Sequence, residues 1–360
     1  MDRFLCIFLK YDYGIPERGV SLERKYFFPA IQKVYPNAEV LWIEEHGFLE
    51  RDYPNLQKTI ISTVQNIKPK LTFFVLMNNE ITSETLAEIS KKTITINWFS
   101  DDHWRFESWS KYISKNLHYA ITVDKYCVDK YLIEKKAHPI LSQWGYFDAP
   151  EIKPQDIGNE FKYDITFVGT KNSVREWYVE YLKSKGINVI CFGSGWDNGR
   201  ISFEEMTHIF LKSRINLNLS NSTPNDIRYL YFLLKKLSLS FLSFNLTELN
   251  TIKKSLRSFF RRDSKSSEQM KARNFEIPSA GGLQLTHYTL ELEDYFSIGK
   301  EIAIYGNCDE MHQQIAFYLN APDLSQRMRT LGFDKAIKQS FASRISAACR
   351  DIQQKESRSL

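Results

Sequence analysis

Short apolar runs alternate with amphipathic stretches along most of this chain. FLCIFL (Phe4–Leu9), AEVLWI (Ala38–Ile43), LTFFVLM (Leu71–Met77), TITINWF (Thr93–Phe99) and YAITVD (Tyr119–Asp124) read as buried strands. Between them RKYFFPAIQKVY, NLQKTIISTVQNI and SETLAEISKKT place apolar residues at three- and four-residue spacing, as one face of a helix requires. Strands separated by helices predict a parallel sheet covered on both faces, with ligands bound beyond the carboxyl ends of the strands. The Pro-, Asp- and Gly-bearing stretch FDAPEIKPQDIGNEFK (Phe147–Lys162) has no periodicity and reads as a linker. The alternation then restarts: YDITFVG, a helical VREWYVEYLKSKG, NVICFG, a helical FEEMTHIFLKS, INLNLS, GLQLT and EIAIY. This predicts an α/β protein of two similar domains, residues 1–150 and 151–335, with a C-terminal helix over 336–360.

Composition agrees with an ordinary globular protein: 43% hydrophobic and 25% charged residues. A net charge of +5 is too small to argue nucleic-acid binding, and no recognisable RNA-binding framework of interleaved aromatics accompanies it. The five cysteines (Cys6, Cys127, Cys191, Cys308, Cys349) show no metal or redox spacing, which points to a reducing compartment. No run approaches the ~18–20 apolar residues of a membrane-spanning helix, and the N-terminus lacks a secretory leader's features. A cytoplasmic protein is expected.

One segment departs from the average. Asn225–Met270 holds nine basic residues against four acidic ones, an excess equal to the whole chain's net charge. Its first part, YLYFLLKKLSLSFLSF, is apolar; KKSLRSFFRR follows. On a helix Leu230, Leu234, Leu237, Phe241 and Phe244 would share a face. Such a surface fits an anionic membrane through Tyr229–Arg262, and it fits equally a helical hairpin on the protein's own core, a dimer contact, or, for the L-S-L-S-F piece, a strand.

The candidate chemistry lies around RNFEIPSAGGLQLT (Arg273–Thr286), where Arg273 and Glu276 stand beside the turn Ala280-Gly281-Gly282. Upstream, Gly169 and Lys171 follow the strand of YDITFVGT, Gly193 lies in FGSGW, and SRINLNLSNS carries Asn218 and Ser220. FGSGW lacks the third glycine of a dinucleotide fingerprint, which argues against NAD. In the first domain WFSDDHW (Trp98–Trp104) packs Asp101, Asp102 and His103 together. Each has a plainer reading: a helix-surface ion pair, a turn glycine, a strand-end hydrogen bond, a helix cap.

Taken in order, these motifs resemble GT-B glycosyltransferases with a group 1-type C-terminal domain, most of all the CgeB-like branch. The resemblance runs from about Trp98 to the C-terminus. It implies two Rossmann-like doubly wound domains facing a central cleft, with the acceptor side in 1–150 and the nucleotide-sugar side in 151–335, and it makes 225–270 an insertion. By this resemblance Glu276 grips the ribose diol; Gly169, Lys171, Gly193, Asn218, Arg273, Gly281 and Gly282 surround the rest of the donor, with Lys171 or Arg175 as a phosphate contact. Asp101, Asp102 and His103 supply the acceptor's base or orient it. His103 stands where proline is common. The reaction expected is transfer of a sugar from a nucleotide-diphosphate donor to a glycan, lipid-linked or protein acceptor, with no cofactor and no metal. The other implied reading is a non-catalytic relative that binds a nucleotide sugar or a glycan as a partner subunit.

Overall fold

The computed structural model describes residues 3–147, 160–242, 245–261 and 268–358. The expected linker and part of the basic segment, including Phe244, Arg262 and Lys265, lie mostly or wholly outside them. The chain divides into two compact units, Met1–Phe147 with Ser340–Leu360, and Asp148–Gln339.

The first unit is built on six parallel strands: β1 (Phe4–Phe8), β2 (Glu39–Trp42), β3 (Leu71–Phe74), β4 (Ile94–Phe99), β5 (Tyr119–Thr122) and β6 (His138–Leu141). Their spatial order is β2-β1-β3-β4-β5-β6, so the winding direction reverses between β1 and β3. β1 and β3 are buried at every position, as strands covered on both faces must be. Leu5, Ile7, Phe74 and Phe99 pack into one core layer. On the opposite face Phe8 and Phe73 meet edge-on, and Phe27 lies edge-on to Trp98.

The C-terminal helix, Phe341–Arg358, is part of this second layer rather than a tail. Phe341 lies 4.8 Å from the Phe27 ring and stacks on Trp144 at 5.8 Å. Ser346 Oγ donates to the Ala30 carbonyl at 3.1 Å, and Tyr119 Oη donates to Glu356 Oε1 at 2.6 Å.

The second unit carries β7 (Tyr163–Val168), β8 (Ile190–Phe192), β9 (Ser213–Asn218), β10 (Gln284–His287) and β11 (Ala303–Tyr305), all parallel, in the order β11-β10-β9-β7-β8. Here the winding reverses between β7 and β9. Helices Ser173–Ser184 and Phe203–Leu211 begin at asparagine and serine caps: Asn172 accepts from the Arg175 N–H, and Ser202 with Glu205 forms a reciprocal capping box.

The basic segment forms two helices, Ile227–Leu242 and Leu246–Arg261, so the L-S-L-S-F piece is helical and not a strand. Tyr229, Leu233 and Ile252 join the unit's core beside Trp177 and Leu182. Lys236 Nζ bridges Glu176 at 2.6 Å and Glu248 at 3.1 Å.

Candidate active site

At the β7/β9 reversal the two strands deliver Gly169–Lys171 and Asn218–Ser222 to the carboxyl edge of the sheet, where a doubly wound sheet binds its ligands. β8 adds the loop from Gly193 to Trp196. These loops are held together closely. The Gly169 N–H donates to the Phe192 carbonyl at 2.9 Å, Lys171 N–H to Ser194 at 2.8 Å, and Trp196 Nε1 to the Gly169 carbonyl at 3.0 Å. Gly193 has φ +122°, and a Cβ there would stand 2.3 Å from the Gly169 carbonyl oxygen. Only glycine fits that conformation and approach.

Arg175, in the first turn of Ser173–Ser184, reaches back over this edge. Its Nη1 donates to the Thr170 carbonyl at 2.8 Å, and its guanidinium lies 5.3 Å from the Phe167 ring centre. Loss of water pulls its pKa down to about 10; the positive charge of Arg273 pulls the same way, and Glu268 pulls against them.

Arg273 begins the helix Arg273–Ser279. Its Nη1 donates to Glu276 Oε2 at 2.8 Å and also meets Met206 Sδ, with the guanidinium 5.2 Å from the Phe210 ring centre. Glu276 is 8% exposed, so the pair is not an ion pair on a solvated helix face. A charge pair this poorly hydrated needs its partners, and its carboxylate offers strong acceptor oxygens to a ligand's hydroxyls.

Half-buried Glu268 was not singled out by any spacing in the sequence. It accepts from the Ser220 hydroxyl, from Asn221 N–H at 2.9 Å and from Ser222 N–H at 2.7 Å. Burial works to raise its pKa, but these serine and backbone donors outweigh burial and hold the carboxyl below its ordinary value. It shapes the turn after β9 and supplies negative charge opposite Arg175. No local pattern reveals a carboxylate whose partners lie 46 to 48 residues earlier.

The other expected donor residues divide. Asn218 Nδ2 donates to Thr286 Oγ1 at 3.1 Å, while its carbonyl accepts from Tyr305 Oη at 3.2 Å, tying β9, β10 and β11 together at the same edge. Lys171 Nζ pairs with Glu176 at 3.3 Å and lies 5.1 Å from the Trp196 ring centre. Gly281 and Gly282 are elsewhere. They precede β10 and so lie at the amino edge of the sheet, opposite Gly169 and Asn218. A Cβ at Gly282 would stand 2.6 Å from Asn216 Nδ2 and 2.9 Å from the Phe210 carbonyl; the Gly281 carbonyl accepts from Arg329 Nε at 2.8 Å. These glycines serve packing at the amino edge, away from the loops of Gly169 and Asn218.

In the first unit the turn after β4 separates the three expected acceptor residues. Asp102 has no exposed surface; Tyr131 Oη donates to its Oδ2 at 3.0 Å. Burial raises its carboxyl to about 7, against the Ser110, Thr122 and Tyr131 hydroxyls that favour the charged form. It is a core residue with no surface open to solvent, whereas a base needs access to an acceptor hydroxyl. Asp101 and His103 flank it, each partly exposed. Neighbouring Arg105 lies 4.1 Å from the Trp109 ring centre, and Trp109 Nε1 donates to Asn79 Oδ1 at 3.0 Å.

At the carboxyl end of β1, Glu44 accepts from Lys10 N–H at 2.8 Å and Tyr11 N–H at 3.0 Å. Nearby Glu23 is buried and its carboxyl is raised to about 7, chiefly by burial, with Glu44 and Asp12 adding to the effect. Among the described residues no group of three His, Cys, Asp or Glu side chains is placed to hold a metal ion.

Comparison with known proteins fits this geometry. Residues 241–349 match a family described as glycosyl transferase-like. That match starts within the basic helical segment, so its second helix belongs to the matched region. No curated protein sequence matches the chain. Among solved structures, the sucrose-phosphate synthase of Thermosynechococcus elongatus superposes with a TM-score of 0.58 at 9% identity, covering 100% of both chains. Anabaena Alr3699/HepE, solved in complex with UDP-glucose, gives 0.56 at 10% identity over 97% of this chain and 99% of its own. A GtfA/B complex gives 0.54 at 10% identity; 84% of this chain is covered, but it spans only 60% of that one. With two parallel Rossmann-like sheets and these structural likenesses, the chain has the GT-B fold, and its residues 241–349 are similar to a glycosyl transferase-like family.

Proposed function

We propose that this chain is a glycosyltransferase that binds a nucleotide-diphosphate sugar at the carboxyl edge of β7 and β9 and passes the sugar to a glycan, lipid-linked or protein acceptor. The observation that carries the reading is the buried Glu276 carboxylate paired with Arg273, together with Arg175 reaching back over the loop that follows β7. A nucleoside diphosphate has one strongly anionic part and one diol. Guanidinium groups suit the first, and a carboxylate accepting two hydroxyl hydrogens suits the second. As the bond to the sugar breaks, negative charge grows on the diphosphate, and cations already fixed at that place lower the barrier. The first turn of Ser173–Ser184 adds its backbone N–H groups to the same edge. Anabaena HepE, which holds UDP-glucose on a similar fold, supports this choice of donor class.

Lys171 and Asn218 complete the donor side in this reading, and Glu268 favours the cationic form of Arg175. Asp101 and His103 are the acceptor-side residues of the first unit. A CgeB-like placement within the wider group, a cytoplasmic location, and peripheral membrane contact through Tyr229–Arg262 belong to the same proposal. Among the described residues no helix is long and apolar enough to cross a membrane.

The test is a thermal-shift screen against UDP-, GDP-, ADP-, CMP- and TDP-sugars, with Glu276→Ala beside the wild type. One nucleotide family should stabilise the wild type, and the variant should bind it about 10- to 100-fold more weakly, as loss of hydrogen bonds to a charged group implies. Equal affinity in the variant would remove Glu276 from the donor site. Donor binding with no transfer to any acceptor would favour a non-catalytic partner subunit.

A further inference from the structure

The hairpin Ile227–Leu242/Leu246–Arg261 is anchored by one face and left bare on the other. Tyr229, Leu233 and Ile252 are in the core, and Ser255 Oγ donates to Ser173 Oγ at 3.1 Å, so the hairpin is fixed to the helix Ser173–Ser184. Outside, the first helix exposes Ile227 (72%), Tyr231 (71%), Leu234 (50%) and Phe241 (56%). Their spacing of four, three and seven residues puts them on a single stripe of an α-helix. The second helix repeats the device with Leu246 (72%) and Phe260 (70%) at the ends of a stripe that holds Lys253 and Arg257. Soluble surfaces rarely leave aromatic and branched side chains this bare in one neighbourhood.

The charges around these stripes decide what covers them. Arg228 and Lys236 have acidic partners: Asp226 with Asp309, and Glu176 with Glu248. The outward cations Lys235, Lys253, Lys254 and Arg257 have none among the described residues. A self-associating face would gather apolar surface without an uncompensated cationic rim, since two copies would bring like charges together. Bare apolar side chains beside unpaired cations match a bilayer surface whose headgroups are anionic: the side chains enter the acyl boundary and the cations meet phosphates.

We infer that the outer face of this hairpin docks the enzyme on an anionic lipid membrane, with Leu234 and Phe241 entering the bilayer and Lys253, Lys254 and Arg257 contacting headgroups. This deepens the peripheral contact proposed above and is independent of the donor chemistry, because its test uses no nucleotide sugar. The full chain is floated with vesicles of phosphatidylcholine alone and of phosphatidylcholine with phosphatidylglycerol, at low and at raised salt. Binding is expected only with the anionic lipid, and it should weaken as salt shortens the screening length. Lys253→Gln/Lys254→Gln/Arg257→Gln should lower the partition coefficient roughly a hundredfold, about a fivefold loss of lipid attraction going with each cation. Leu234→Ser/Phe241→Ser should release the protein as well. All five side chains lie on the surface, so unchanged melting in buffer will show that both variants fold. No binding to anionic vesicles at low salt overturns the inference, as does binding that the triple variant retains. A concentration-dependent dimer without lipid that Leu234→Ser/Phe241→Ser dissolves also overturns it and makes the face a contact between copies.

Discussion

Asp102→Asn separates a core carboxyl from a catalytic one. Asp102 has no exposed surface and its carboxyl is raised from the usual carboxylate range to about 7, mainly by burial. In the unfolded chain an aspartate loses its proton near 3.9. Between these two values the folded state binds more protons than the unfolded one, so stability falls as pH rises and levels off above about 7. From about pH 5 to about pH 8 the wild type should lose roughly 3 kcal/mol on this account, two pKa units at 1.36 kcal/mol each. Asparagine cannot ionise and keeps an oxygen for the Tyr131 hydroxyl, which donates at 3.0 Å. The variant should therefore be more stable than wild type at the higher pH by a few kcal/mol and nearly equal near pH 4. Glu23 titrates in the same window and is present in both proteins, so the difference between them isolates Asp102. The assay is urea denaturation of both proteins across this range, followed by the tryptophans of the first unit, together with glycosyl transfer at one pH. Transfer should persist. A variant that matches the wild type's pH slope, or folds normally but loses transfer by orders of magnitude, would refute the assignment of Asp102 to the core.

Gly193→Ala should destabilise the second unit by about 3 kcal/mol or more, because a Cβ would stand 2.3 Å from the Gly169 carbonyl on a backbone at φ +122°; denaturation followed by Trp196 fluorescence reads it, and equal midpoints would show that the two loops part freely. Phe341→Ala should cost the first unit about 3 to 5 kcal/mol through the cavity left among Phe27, Trp98 and Trp144. Protease sensitivity confined to the first unit checks this, and a loss under 1 kcal/mol would mean the helix Phe341–Arg358 is not part of that core.

Much of the architecture was legible because strands buried on both faces must be continuously apolar. Phe4–Phe8 and Leu71–Phe74 advertise themselves in that way. β6 was not marked among the strands, since His138–Leu141 lies at the sheet edge with only one buried position in four. The charged pair Arg273 and Glu276 was also legible, three residues apart on one helix. Arg175 and Glu268 were harder. Arg175 follows its strand closely but also reaches Leu219, 44 residues on, and Glu268 takes its partners from 46 to 48 residues earlier. Gly281-Gly282 shows the opposite case. A glycine pair beside Glu276 reads as a phosphate turn, but the helix between them spans the sheet and carries them to its far edge.

What the sequence determined by itself was the kind of layers this chain forms: apolar runs and three-to-four spacing are local patterns, and burial on two faces or one follows from them. It also named the residue types a nucleotide sugar requires. Tertiary structure decided which of those residues share an edge. Parallel strand order set β7 beside β9, which brought Arg175, after β7, to the Leu219 carbonyl just beyond β9. The same rule buried Asp102 while its neighbours Asp101 and His103 stayed partly exposed, because one residue's step along the turn changes which side of the backbone a side chain takes. Where a charged group is wet or dry is a property of everything packed around it, and no stretch of sequence contains that neighbourhood.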